Sequence, residues 1–158
     1  MARLVEIARE IAASDSKFQE VKGAGKGDHA TARFMRALRD RIFDEFSFKH
    51  CEKKICGPTG YAVDFYFEDQ ATIVEVALGL SNPASEFEKD ILKAIVAKEH
   101  QHPVDRLVFI SRAGAEKKCM QPGRIALMNW AKVQHGVRIE VYELPGNPRV
   151  RVRQRRRN

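Results

Sequence analysis

No apolar run in this chain of 158 residues approaches the roughly eighteen that cross a bilayer, so a helical membrane span is excluded. The first residues, MARLVEIAREIAAS, lack the uninterrupted apolar stretch of a secretory signal because Glu6 and Glu10 interrupt it, and a cytoplasmic location is expected. Cysteine is scarce as well. Cys51, Cys56 and Cys119 cannot all pair, which argues for reduced thiols rather than a disulfide framework. Nor do these thiols fall with His50, His100 and His102 at a common zinc-ligand spacing. The glycine-rich stretch KGAGKGDHA, Lys22 to Ala30, lacks both the GxxxxGK(S/T) spacing and a preceding apolar strand. It reads as a connector whose Lys22 and Lys26 are available to a phosphate backbone. No internal repeat and no recognisable base-reading motif is present.

What is present is a globular composition, 44% hydrophobic and 31% charged, in a length that suits one domain over residues 1–145. The net charge of +7 is concentrated at the end, where PRVRVRQRRRN holds Arg149, Arg151, Arg153, Arg155, Arg156 and Arg157 and no acid. Taking these six from the 28 basic residues leaves 22 against 21 acidic ones, a nearly neutral body. A tail of this kind, residues 146–158, repels itself and has little to bury. It is expected to be disordered and to act as a nucleic-acid arm, since arginines displace counterions from phosphates.

Periodicity gives the elements. Leu4, Ile7, Ala8 and Ile11 predict a helix ending near Ser14 to Ser16, and Phe34, Leu38, Ile42 and Phe46 predict a second over Thr31 to Phe48. KKICGPTG suggests a short strand and a turn, followed by a hairpin over Val63 to Leu80 (VDFYFEDQATIVEVALGL). Asn82 and Pro83 break the chain, and Ser85 with Glu88 forms a capping box that opens a helix to about Glu99. RLVFIS, Arg106 to Ser111, is a buried strand; a helix runs from near Pro122 to Gly136, and VRIEVYEL, Val137 to Leu144, is a last strand. Meandering strands followed by strand-helix-strand crossovers predict an α/β fold, a mixed sheet sandwiched by helices.

The hairpin carries one acid on each strand. Alternation puts Val63, Phe65 and Phe67 on one face and Asp64 and Tyr66 on the other, with Glu75 and Ala77 on the corresponding face of the second strand. A turn about Asp69 and Gln70 pairs Phe67 with Thr72, and three residues further along each strand it sets Asp64 opposite Glu75, with Cβ atoms about 5 Å apart. Like charges so placed destabilise a sheet. Either a divalent cation such as Mg²⁺ or Mn²⁺ joins them, or that face is open to water.

A helix, three meandering strands with Asp64 on the second and Glu75 on the third, then a helix and a strand, resembles the PD-(D/E)XK nuclease superfamily of restriction-endonuclease-like proteins. The likeness covers residues 31–144, an αβββαβ core. It implies a nuclease hydrolysing phosphodiester bonds, with Asp64 and Glu75 as ligands of Mg²⁺ or Mn²⁺. Two positions depart from the motif: Val63 stands in place of proline, and Ala77 in place of the lysine that positions water and stabilises transition-state charge. In some members a motif residue migrates to the following helix, which makes Lys89 the expected substitute, with Lys93 and Glu88 as further candidates there and Glu45 on the preceding helix. DNA is the expected partner ahead of RNA, with no membrane, and a homodimer is compatible with this reading. The alternative is a catalytically inactive nucleic-acid-binding module on the same fold.

Overall fold

The computed structural model describes residues 1–15, 18, 26–80 and 85–145, with residues 26–28, 46–48 and 85 described through their backbone alone. The tail arginines Arg149 to Arg157, the connector Lys22 and the side chains of Lys26, Phe46 and Ser85 lie outside the described residues.

Helices α1 (Ala2–Ser14) and α2 (Lys26–Phe46) precede strands β1 (Cys51–Lys53), β2 (Val63–Phe67) and β3 (Thr72–Val76). Helix α3 (Ser85–Glu99), strand β4 (Arg106–Ser111), helices α4 (Ala115–Cys119) and α5 (Pro122–His135) and strand β5 (Arg138–Glu143) follow. The sheet order is β1-β2-β3-β4-β5, with β1, β2 and β3 antiparallel in succession and β3, β4 and β5 parallel. Parallel neighbours need a crossover, and α3 and α5 supply one each.

Strand β4 shows why a continuous apolar run is needed. Leu107 and Phe109 join the core under α3 and α5, with Phe87, Ile91 and Ala131, whereas Val108 and Ile110 join the core under α1 and α2, with Leu4, Ile7, Phe34 and Leu38. A strand covered on both faces has no polar side to offer. Phe65, Phe67, Val74 and Val76 also face α1 and α2; Val63, expected beside them, belongs to the other core.

Four boundaries depart from the sequence-based expectation. Helix α2 begins at Lys26, five residues early, because the single Gly27 costs a helix only about 1 kcal/mol. Strand β1 runs two residues earlier than expected and ends on Lys53, the first residue of KKICGPTG, paired through Cys51 with Phe65 and Lys53 with Val63. Strand β3 stops at Val76, where the chain turns and Leu80 N–H donates to the Ala77 carbonyl at 3.3 Å. The five-residue α4, entered through Gly114 at φ 95, had no periodic signal to announce it.

Arg112, just beyond β4, stacks its guanidinium over Phe18 at 4.9 Å, while its buried Nε and Nη2 have no hydrogen-bond partner among the described residues. Unpaired buried charge is costly, and apolar replacements of similar volume relieve it. Arg112→Met is therefore expected to raise stability by about 1 kcal/mol, measured by urea denaturation; a loss of stability contradicts this.

Candidate active site

The turn between β2 and β3 is a 3-10 segment, Glu68–Gln70, closed by Ala71 in the left-handed conformation at φ 45. It pairs Phe67 with Thr72, Tyr66 with Ile73 and Phe65 with Val74. The same register carried one step further sets Asp64 opposite Glu75. At that step the carboxylates replace the backbone ladder: Val76 N–H donates to Asp64 Oδ2 at 2.9 Å, and Asp64 N–H to Glu75 Oε2 at 3.4 Å. Each acid is thus held against the opposite strand. Glu75 is only 3% exposed, so the water-open face considered for the hairpin does not apply to it; Asp64 remains half-buried.

Helix α3 covers this face. Its buried residues Phe87, Ile91, Ala94 and Ile95 set the helix's orientation, and on the same side lie Asp90 at 6% exposure and Lys93 at 9%. The Lys93 ammonium donates to Glu75 Oε1 at 3.1 Å and pairs with Asp90 Oδ1 at 2.8 Å. Cys56 adds a thiol that donates to the Lys93 carbonyl at 3.5 Å, and burial pushes that thiol up, away from the reactive thiolate.

Two carboxylates, Glu75 and Asp90, therefore hold one ammonium, and the Asp64 charge acts on both of them. Burial, then the neighbouring Asp64 and Asp90 charges, push the Glu75 carboxyl well above the ordinary carboxylate range, and burial raises Asp90 against the opposing pull of Lys93. For Lys93, burial favours the neutral amine, but Glu75 and Asp90 more than reverse it and hold the ammonium above its ordinary value.

The remaining candidates lie elsewhere. Lys89 and Glu88 are exposed on α3. Glu45 is exposed and bound by Arg3 at 2.7 and 2.8 Å, tying α2 to α1, while Arg41, four residues before it, pairs with Glu10 at 3.0 Å. Ala77 is buried, its carbonyl accepting from Ser111 Oγ at 2.6 Å. Among the described residues no group of three or more His, Cys, Asp or Glu side chains forms a ready-made metal cage.

Sequence reasoning missed Asp90, and its signal was present. Asp90 sits three residues after Phe87 and one before Ile91, inside the buried stripe. Leu92, next to Ile91, invites an apolar stripe turned toward Glu88 and Lys89, but Leu92 is 51% exposed. No protein-family model, curated protein or solved structure matches the chain.

Proposed function

We propose that this protein is a metal-dependent nuclease with a restriction-endonuclease-like core, cutting phosphodiester bonds, DNA ahead of RNA. The single observation that carries the reading is Lys93, which supplies from α3 the ammonium that Ala77 cannot, beside Glu75 and within its hydrogen-bonding reach. The order of helix, three-stranded meander, helix and parallel strand supports the fold assignment.

The donor set fits Mg²⁺ or Mn²⁺. Asp64 and Glu75 offer hard carboxylate oxygens from opposed strands, and such ions take one or two protein carboxylates, completing their shell with water and phosphate. With all groups ionised, three carboxylates and one ammonium leave a charge of two negative units, which a divalent cation cancels. That ion supplies charge neutralisation at the scissile phosphate and acidifies a water. The chain does the rest: Asp64 and Glu75 fix the position, the Lys93 ammonium donates to a phosphate oxygen as charge develops, and Asp90 orients that ammonium. The half-buried Asp64 marks the side open to substrate, and the buried Glu75 the side closed to water. The arginine tail adds affinity without sequence preference.

Nicking of supercoiled plasmid in Mg²⁺ or Mn²⁺, abolished by EDTA, is the expected activity; binding to nucleic acid without cleavage in either ion would favour the inactive module. Because Lys89 is exposed, Lys89→Ala is expected to change the nicking rate by no more than about twofold, as surface substitutions do. A loss of tenfold or more would return the catalytic ammonium to Lys89.

A further inference from the structure

We infer that Lys93 is the site's own counter-ion, seated on Glu75 in competition with any divalent cation, and that Asp90 is the positioning residue that keeps the displaced ammonium inside the site. This rests on the metal reading above and adds to it a rule for how the site exchanges charges.

The ammonium lies 3.1 Å from Glu75 Oε1. A divalent cation binds a carboxylate oxygen at about 2.1 Å, so an ion on Oε1 stands within about 5 Å of Nζ, two positive centres in a buried setting where charges are poorly screened. One must yield. Lysine carries its charge on a flexible four-carbon stem and can swing away, whereas Glu75 is fixed on β3 at the end of the ladder. Asp90 holds the other side of the ammonium at 2.8 Å and lies on the same helix one turn back, so it remains in place when the Glu75 contact breaks. An ammonium released from Glu75 but tethered to Asp90 keeps donors free for an anionic oxygen. Metal binding and phosphate binding then favour each other, since the phosphate takes up the charge that the metal displaces, and the coupling is reciprocal.

Calorimetric titration of the full chain with Mn²⁺ tests this. Lys93→Met alone adds net negative charge and tightens Mn²⁺ by electrostatics under any account, so the deciding variant is K93Q/D90N. It removes one charge of each sign, leaves the local sum unchanged and retains amide hydrogen bonding between the two positions. The expected result is Mn²⁺ affinity at least about tenfold above wild type. Unchanged affinity means that charge alone governs the site, and weaker affinity makes Asp90 a ligand; either overturns the inference while leaving the metal site standing. Asp90→Asn alone weakens Mn²⁺ on charge grounds under any account but for the same reason favours an anion, so it is read with inorganic phosphate in saturating Mn²⁺: phosphate affinity is expected to fall about tenfold, and an unchanged or tighter value would overturn the positioning role even if the double variant failed to fold. Absence of Mn²⁺ binding in every protein, wild type included, overturns both the inference and the metal reading.

Discussion

Glu75→Gln is expected to abolish metal-dependent cleavage, by at least about a hundredfold, while leaving the protein as stable as wild type or more stable by about 1 kcal/mol. The two effects have one cause. Glu75 is buried beside the Asp64 and Asp90 charges, so its own negative charge is unfavourable in the fold without a bound cation, and on the proposed reading it is there to bind one. Asp64→Asn is expected to lose cleavage equally. The pH dependence follows from the same shift. The folded protein holds the Glu75 proton more tightly than the unfolded chain, so in EDTA wild-type stability is present at low pH and is lost as the pH climbs above the unfolded value of 4.5. Thermal melts of Glu75→Gln should show a flatter pH profile. A variant that keeps wild-type cleavage, or that unfolds more readily at pH 8, removes the basis for assigning Glu75 to a metal.

Lys93→Met is expected to be the most damaging substitution in the site, lowering stability by about 3 to 5 kcal/mol near neutral pH, the range found when one partner of a buried pair is removed. For a chain of this size that corresponds to a Tm lower by about 10 °C. Among the described residues the Lys93 ammonium is the cation in direct contact with both Glu75 and Asp90, at 3.1 and 2.8 Å, and without it these two buried carboxyls face each other beside the Asp64 charge. Cleavage should fall with it. The loss should shrink as the pH falls below the raised Glu75 value of about 9, where that carboxyl takes up its proton and relieves the repulsion. K93Q/D90N, lacking both charges, should melt closer to wild type. Equal stability of Lys93→Met and wild type at pH 8 would mean that the ammonium bears no structural load.

The two residues found by turn geometry and the two set by helix packing show what could be read in advance. The pairing of Asp64 with Glu75 follows from where a turn about Asp69 and Gln70 must place them, a local constraint written in a dozen residues. Likewise Pro122 and Gly136 mark the ends of α5 because proline suits a first helical turn and glycine the left-handed cap, here at φ 64. The choice between Lys89 and Lys93 is different in kind. It depends on how far α3 rotates about its axis, and Leu92, an exposed apolar residue, gave the stripe a false centre. Burial of Glu75 was equally hidden, since strand alternation tells which face a side chain takes but not whether a later helix will cover that face. The departures at α2 and β1 are differences of about a turn or a few residues, where small local preferences are overruled by pairing and packing elsewhere.

On the function proposed above, Asp64 and Glu75 jointly hold a divalent cation beside Lys93. Crystals soaked in Mn²⁺ and measured for anomalous scattering test it directly. One peak at about 2.1 Å from an oxygen of each carboxylate, with the Lys93 ammonium moved off Glu75 and still on Asp90, is the predicted result. A map with no peak between the two acids, or a peak held by other side chains with the Glu75–Lys93 contact intact, would contradict it.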